Sequence, residues 1–311
     1  MRGLKVVFMG TPGFAAPVLR ALIDAGCDIK GVVTQPDRRA GRGRKPILSP
    51  VKELALKEEL PIYQPEKVRD NSFVDTLRSL EADVMVVVAY GRILPKAILD
   101  IPPMGCINVH ASLLPAYRGA APINWAIARG ESVTGITTMM IDEGLDSGDM
   151  LLKKAVTIEK DDNTETLYEK LSLEGAKLLI ETLEGLKDGS VKREVQDETL
   201  VTYAPIIGKE DGLIDWSKPA GEIVNLIRGM YPWPSAHTTI KGKMLKVLSA
   251  AEKNGGGKPG AIIKMDKKSI EVAAGKGSLE LLELQLEGKK RMKTEDLLRG
   301  FALEEGEMLG V

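Results

Sequence analysis

Short apolar runs alternate with amphipathic segments along the first half of the chain. Five apolar runs predict strands, at residues 4–9, 29–33, 84–88, 106–110 and 136–141. Apolar positions three and four apart predict helices between them, at residues 14–25, 51–59 and 72–80. Strands and helices in alternation are typical of right-handed crossovers onto a mostly parallel sheet, so we expect an α/β, Rossmann-like domain.

The second half changes character after one long helix. This helix is predicted at residues 165–187, where Asp162 and Glu165 have the spacing of a capping box. A polar stretch after it predicts a linker, and beyond that short apolar stretches alternate with glycine-rich turns, which is typical of a small barrel. The predicted organisation is a Rossmann-like domain, a linker and an OB-like β-barrel domain, at residues 1–189, 190–205 and 206–311.

The net charge of −1, from 43 basic and 44 acidic residues, hides two basic regions. A loop after the second predicted strand carries five basic residues and one acid, the basic ones being Arg38, Arg39, Arg42, Arg44 and Lys45. Residues 206–294 carry 16 basic against 10 acidic residues, a local excess of 6. Both regions are compatible with ordinary solvated surface, but a large polyanion that touches both domains would account for the pair.

Composition excludes several classes of protein. A hydrophobic content of 43% and a charged content of 28% are typical of globular proteins and exclude a disordered or collagen-like chain. No apolar run approaches the roughly 18 residues that a membrane span needs. Two cysteines, Cys27 and Cys106, are too few for a disulfide framework or a thiolate metal site. We therefore expect a cytoplasmic protein with neither a membrane partner nor a bound metal.

Candidate chemistry is concentrated in the segments that follow the predicted strands. Open parallel sheets bind ligands beyond the carboxyl ends of their strands, which directs attention to residues 10–15, 89–94, 110–119 and 142–149. Within the strand at 106–110, alternation places Asn108 and His110 on the same face. An amide can donate to an oxyanion and an imidazole can move a proton near neutral pH, so the pair suits acyl chemistry.

An acidic segment offers a carboxylate partner for His110. Asp142, Asp146 and Asp149 all follow a neighbouring strand, and their spacing does not choose among them. The same segment lacks the ligand spacing of a calcium loop. Ser112 is a poor candidate nucleophile, because no Gly-x-Ser-x-Gly elbow presents it. Neither a dinucleotide fingerprint nor a Walker A sequence is present.

These residues resemble a known signature. Asn108-Val109-His110, then Ser112-Leu113-Leu114-Pro115 with Arg118-Gly119, and Asp146-Ser147-Gly148-Asp149 resemble folate-dependent formyltransferases. The strand-end sequences Gly10-Thr11-Pro12-Gly13-Phe14-Ala15 and Ala89-Tyr90-Gly91 fit the same superfamily. The basic loop and the stretches at 214–216, 228–234 and 298–300 resemble the corresponding segments of the family members that act on initiator aminoacyl-tRNA.

The resemblance implies transfer of a formyl group from 10-formyltetrahydrofolate to the amine of methionine on initiator tRNA. It implies that Asn108 stabilises the oxyanion, that His110 transfers protons and that Asp146 supports His110. The folate would border Tyr90, Gly91, Ser112, Leu113, Leu114 and Pro115. The tRNA would meet the basic loop, at Arg38, Arg39, Arg42, Arg44 and Lys45, together with the second domain. A monomer without a metal is expected.

Other functions stay open at this point. The same three catalytic residues would serve a formyltransferase for an amino sugar nucleotide or a glycinamide ribonucleotide, or a formyltetrahydrofolate hydrolase. A non-catalytic RNA-binding protein is the alternative from another class. The chain also departs from the family's usual pattern, because Ile206 stands where a lysine is usual.

Overall fold

The computed structural model describes residues 1–40 and 45–310, and at residues 38–40, 45 and 46 it describes the backbone alone. Two of the predicted tRNA-binding residues, Arg42 and Arg44, therefore lie outside the described residues.

Helices and strands alternate through the first half of the chain, and strands dominate the second. The helices are α1 Ala15–Asp24, α2 Pro50–Lys57, α3 Asn71–Ser79, α4 Lys96–Leu99, α5 Pro122–Ala128, α6 Thr164–Asp188, α7 Ala220–Gly229 and α8 Thr294–Gly300. The first ten strands are β1 Lys5–Gly10, β2 Asp28–Val33, β3 Arg38–Ala40, β4 Lys45–Ile47, β5 Ile62–Tyr63, β6 Val84–Val88, β7 Cys106–His110, β8 Arg118–Gly119, β9 Val133–Met140 and β10 Met150–Thr157. The later strands are β11 Tyr203–Ala204, β12 Ala236–Ile240, β13 Lys243–Lys253, β14 Ile262–Met265, β15 Ile270–Ala273, β16 Ser278–Leu286 and β17 Met292–Lys293.

The larger sheet of the described chain has the strand order β10-β9-β7-β6-β1-β2-β5. The pairs from β5 to β7 are parallel, whereas β9 runs antiparallel to β7. Every residue of β6 is buried, as expected for a central strand that is covered on both faces. Cys106 at the start of β7 is also buried, and burial raises the pKa of its thiol to about 12. The prediction of a mostly parallel, Rossmann-like sheet is confirmed.

A separate antiparallel sheet occupies the second half of the chain. Its strand order is β12-β13-β16-β15-β14, with β17 added to β16. Buried residues alternate with half-buried ones along β12. The apolar side chains of the sheet pack with α7 into one core that includes Trp216, Ile223 and Leu281. The expected change from an α/β domain to an antiparallel β domain is confirmed.

The capping prediction for α6 was wrong by one residue. Asn163, rather than Asp162, caps the helix, and its side-chain oxygen accepts from the backbone N–H groups of Glu165 and Thr166 at 2.9 and 3.0 Å. Asp162 instead accepts from the backbone N–H of Glu159 at 2.8 Å and so closes the turn before the helix. Both side chains suit such positions, and the spacing alone did not separate the cap from the turn.

Contacts divide the chain into two compact units. The first consists of Met1–Gly119, Thr134–Thr157 and Tyr168–Tyr203, and the second of Ala120–Val133, Ile158–Leu167 and Ala204–Val311. Among the helices of the described residues, none combines the length and the apolar character that crossing a bilayer requires.

Candidate active site

Asn108 lies near the end of β7, in the interior of the larger sheet. It pairs with Val87 on β6 and with Met139 on β9. Its side chain is half-buried, and within residues 1–40 and 45–310 no group forms a hydrogen bond with its side-chain carboxamide. A half-buried amide with free donors can stabilise negative charge on a bound oxygen.

His110 ends the same strand and is 5% exposed. Its Nε2–H donates to the carbonyl of Tyr117 at 3.1 Å. Its Nδ1 lies 3.7 Å from the carboxylate Oδ2 of Asp146. The groups that face the two ring nitrogens are therefore both acceptors. A neutral imidazole can satisfy one of them by donation, and the imidazolium can satisfy both.

Asp146 is the one of the three candidate aspartates that faces His110 in the described structure. Its Oδ2 also accepts from the backbone N–H of Gly119 at 2.8 Å. The Asp142 carboxylate instead accepts from the Gly144 N–H at 3.0 Å and from the Ser147 hydroxyl at 2.9 Å, within its own turn. Asp146 adopts a left-handed backbone with φ of 50°, a conformation that aspartate tolerates better than most residues.

The path of this acidic segment differs from the expected one. Because β9 is antiparallel to β7, the segment begins beside the start of β7, where the Ile141 N–H donates to the Cys106 carbonyl at 2.8 Å. The rule about carboxyl ends of parallel strands therefore does not apply to residues 142–149. Asp146 reaches His110, at the far end of β7, because its segment folds back along the strand.

The loop after His110 is held by a hydrogen bond within it and by two hydrogen bonds to β9. The Ser112 hydroxyl is fully buried and donates to the Ala116 carbonyl at 2.6 Å. Thr137 on β9 donates to the Ser112 carbonyl at 2.7 Å and accepts from the Leu114 N–H at 3.0 Å. Leu114 is buried against Met139 and Met150, whereas Leu113 and Pro115 are half-buried. Of the predicted folate residues in this loop, Leu113 and Pro115 thus keep some accessible surface.

Tyr90 and Gly91 follow β6, next to the strand that carries Asn108. The Tyr90 ring is 2% exposed, and burial raises the pKa of its hydroxyl, which has no hydrogen-bond partner in the described chain. Gly91 is exposed, with φ of 76°, and a Cβ there would lie 2.7 Å from the Gln35 side chain. The backbone of this turn, rather than the tyrosine ring, is what a ligand can reach.

The predicted tRNA-binding residues are only partly described. Arg38, Arg39 and Lys45 lie in the short antiparallel pair β3–β4, where Arg38 pairs with Ile47. Ile206, the departure from the family's pattern, is exposed.

One residue near the site was missed by the sequence analysis. Gln196 lies in the predicted linker, yet it is 4% exposed and donates to the carbonyl of Asp146 at 2.8 Å. The only signal in the sequence is a glutamine within a polar stretch, which does not distinguish a buried side chain from a solvated one.

Comparisons with known proteins identify the family of this chain. Family models described as formyl transferase and as formyl transferase, C-terminal domain, match residues 4–183 and 206–302. Proteins named methionyl-tRNA formyltransferase are 52% identical in Geotalea uraniireducens and 53% in Citrifermentans bemidjiense. Both alignments cover 100% of this chain, and 99% and 98% of the two relatives.

Solved structures show the same fold at much lower identity. The sugar 3N-formyl transferase WlaRD is 18% identical with a TM-score of 0.67, over 93% of this chain and 100% of that one. HypX from Aquifex aeolicus, in complex with tetrahydrofolic acid, is 17% identical with a TM-score of 0.62, over 94% of this chain and 46% of that one. With family models over both halves and relatives about half identical along its whole length, this chain belongs to the formyl transferase family, among the methionyl-tRNA formyltransferases.

Proposed function

We propose that this protein transfers the formyl group of 10-formyltetrahydrofolate to the α-amine of methionine on initiator methionyl-tRNA. The observation that carries the proposal is the group formed by the free amide of Asn108, the buried imidazole of His110 and the carboxylate of Asp146. The group occurs in a chain about half identical to methionyl-tRNA formyltransferases over its full length. The reaction gives N-formylmethionyl-tRNA.

The formyl donor is a substrate of this reaction and is assigned to the turn at Tyr90 and Gly91 and to the loop at 112–115. Two structural neighbours support a folate: HypX is in complex with tetrahydrofolic acid, and the N-formyltransferase from Helicobacter canadensis is in complex with folinic acid. Accessible backbone at Gly91 and partly accessible side chains at Leu113 and Pro115 would border such a ligand. A metal is not required for this chemistry.

Each of the three residues has one role in the transfer. The methionine amine attacks the formyl carbon, a C–N bond forms and the carbonyl electron pair moves onto oxygen, where Asn108 donates a hydrogen bond. His110 takes the proton that the amine loses, and Asp146 stabilises the imidazolium that results. When the carbonyl re-forms, the bond from the formyl carbon to N10 of the folate breaks, and the His110 imidazolium returns its proton to N10 as N10 leaves.

The nearest alternatives use the same chemistry on other amines. Sugar formyltransferases among the structural neighbours are 16–18% identical to this chain, far below the 52% of the tRNA-acting relatives. A sugar nucleotide would also not require the five basic residues of the loop at 38–45 together with the basic excess at 206–294.

Substitution of the two β7 residues tests the roles. We expect Asn108→Ala to lower kcat by about 10²–10³-fold, because one oxyanion donor is lost. His110→Ala should lower kcat by about 10²–10⁴-fold, the usual contribution of a general base. Affinity for methionyl-tRNA should stay within about threefold in both variants, because neither side chain is assigned to tRNA binding.

Asn71→Ala is the matched control for Asn108→Ala, because Asn71 is exposed at the start of α3. Steady-state formylation and a filter-binding titration with methionyl-tRNA give the two quantities. A large loss of tRNA affinity with unchanged kcat would contradict the assigned roles.

A further inference from the structure

The carboxamide of Gln196 is buried beneath the candidate site and all of its polar atoms are used. Its Nε2 donates to the carbonyl of Asp146 at 2.8 Å and to the carbonyl of Gly148 at 2.8 Å. Its Oε1 accepts from Nε–H of Arg118 at 2.9 Å. The side chain therefore joins the acidic segment to the residue that precedes Gly119.

The chemistry of these neighbours fixes which way the amide points. Arg118 carries only donors, so the atom that faces it must be the amide oxygen. The carbonyls of Asp146 and Gly148 are only acceptors, so the atom that faces them must be the amide nitrogen. A flipped amide would place acceptor against acceptor and donor against donor at three contacts.

Asp146 is held at two points by this arrangement. Gln196 binds its carbonyl, and the Gly119 N–H binds its carboxylate Oδ2 at 2.8 Å. Because Gly119 follows Arg118 directly, the contacts close a ring that runs from Asp146 through Gln196, Arg118 and Gly119 and back to Asp146. A non-glycine residue stays in the left-handed region only where its surroundings enforce that geometry, and here two bonds from Gln196 span the turn.

Arg118, one member of this ring, is also held by residues outside the ring. Arg118 is 3% exposed, and its guanidinium donates to the exposed Glu198 at 2.8 Å. The Arg118 backbone N–H donates to the Thr202 carbonyl at 2.9 Å. Arg118 therefore has little freedom to move, and it presents a fixed donor to Gln196.

We propose that Gln196 is a positioning residue for formyl transfer, which acts by holding the turn at Asp146 so that its carboxylate faces His110. The inference rests on the proposed function, in which Asp146 supports His110. Gln196 itself meets neither substrate. Loss of its two donors would free the Asp146 backbone, and a displacement of about 1 Å in a supporting group can cost about 10²-fold in rate.

A double-mutant cycle tests this role. Single-turnover formylation is measured with enzyme in excess for the wild type, Gln196→Leu, Asp146→Asn and the double variant. We expect Gln196→Leu to lower the rate by about 10–100-fold and to leave KM for both substrates within about twofold. In the Asp146→Asn background, Gln196→Leu should lower the rate by less than about twofold, because the group it positions has already been altered.

Two further variants separate positioning from a loss of folding. Gln196→Glu keeps the size of the side chain and an acceptor for Arg118 but places oxygen against the two carbonyls, so it should lose rate as Gln196→Leu does. Gln285→Leu is the control, because Gln285 also donates from Nε2 to a backbone carbonyl, that of Lys289, at 3.0 Å. Its rate should stay within about twofold of wild type.

The outcomes distinguish this inference from the proposed function. A wild-type protein that does not formylate methionyl-tRNA contradicts the proposed function and this inference with it. An active wild type whose rate falls with Asp146→Asn but not with either Gln196 variant contradicts the inference alone. The inference is also overturned if Gln196→Leu lowers the rate by the same factor in both backgrounds, which is the pattern of a general structural defect.

Discussion

The imidazole of His110 lies between two acceptors, the carbonyl of Tyr117 and the carboxylate of Asp146. A protonated ring would present an N–H toward each of these two groups. The carboxylate does not depend on His110 for its place, because the Gly119 N–H also binds it. Backbone groups thus set the geometry of the proton-transfer pair.

Gly135 on β9 shows how closely the strands pack beside this site. A Cβ at this position would lie 2.2 Å from the Lys154 carbonyl and 2.5 Å from the Leu113 side chain. Gly135→Ala must therefore separate β9 from β10, and we expect it to lower the free energy of unfolding by about 2 kcal/mol. The midpoint of urea unfolding, followed by fluorescence, measures the change.

Gly13→Ala provides the control within the same unit. A Cβ at Gly13 would meet its nearest atom, the Tyr168 hydroxyl, at 3.6 Å, an ordinary contact distance. Its unfolding midpoint should stay near that of the wild type, within about 0.5 kcal/mol. Equal midpoints for Gly135→Ala and Gly13→Ala would mean that the strands part more easily than these distances imply.

Single residues were predictable where the chemistry is local. Asn108 and His110 followed from alternation within one strand, because the side-chain period of a strand is fixed. The choice of Asp146 over Asp142 and Asp149 did not follow, since it depends on a left-handed turn and on the Gly119 N–H, both set by tertiary structure. The role of Gln196 could not be predicted either, because its hydrogen-bond partners are remote in sequence.

At the scale of elements, the start of α6 depends on one side chain. Asn163 accepts from two backbone N–H groups that the helix leaves unpaired. We expect Asn163→Ala to lower the free energy of unfolding by about 1 kcal/mol. Asp70 occupies the same position at the start of α3 but makes no side-chain capping bond, so Asp70→Ala should cost less than about 0.5 kcal/mol.

Chemical denaturation of the two variants compares them directly. The larger loss is expected for Asn163→Ala, and an equal or larger loss for Asp70→Ala would show that the capping bond of α6 contributes little.

The predicted elements were most accurate where the apolar pattern was strong. The strand bounds at 84–88 and 106–110 are those found for β6 and β7. For β6 the reason is burial on both faces, which gives an unbroken apolar run. The antiparallel course of β9 was not predicted, and neither was β10, whose middle residues are exposed and mask the strand pattern. α5 was missed because it has only seven residues, too few for a helical period to be clear.

At the scale of the whole molecule, charge distribution determines how a nucleic acid would bind. The basic loop at 38–45 and the basic excess at 206–294 both predict phosphate contacts. We expect affinity for methionyl-tRNA to fall at least about tenfold between 50 and 200 mM salt, because phosphate contacts release counterions. Affinity for the folate should change by less than about threefold over the same range.

Arg42→Ala should reduce the salt dependence and raise KM for tRNA, while kcat at saturating tRNA changes little. Equilibrium binding at several salt concentrations tests both statements. A tRNA affinity that does not depend on salt, or that is unchanged in Arg42→Ala, would assign the loop to ordinary solvated surface.

The change from parallel to antiparallel architecture was predictable from the turn spacing, since glycine-rich turns about every ten residues leave no room for the crossovers that parallel strands need. Which residues belong to each of the two compact units was not predictable from the sequence. Ala120–Val133 and Ile158–Leu167 group with the later residues through contacts that no local pattern encodes. The domain limits at residues 189 and 206 stay a prediction.

The most direct test of the central claim is formyl transfer from 10-formyltetrahydrofolate to charged initiator methionyl-tRNA, with uncharged tRNA and free methionine as controls. The proposed function predicts N-formylmethionyl-tRNA from the charged tRNA alone, and a rate that falls in Asn108→Ala and His110→Ala. Release of formate without a formylated product would instead indicate a hydrolase, and no turnover of the folate would contradict an enzymatic function.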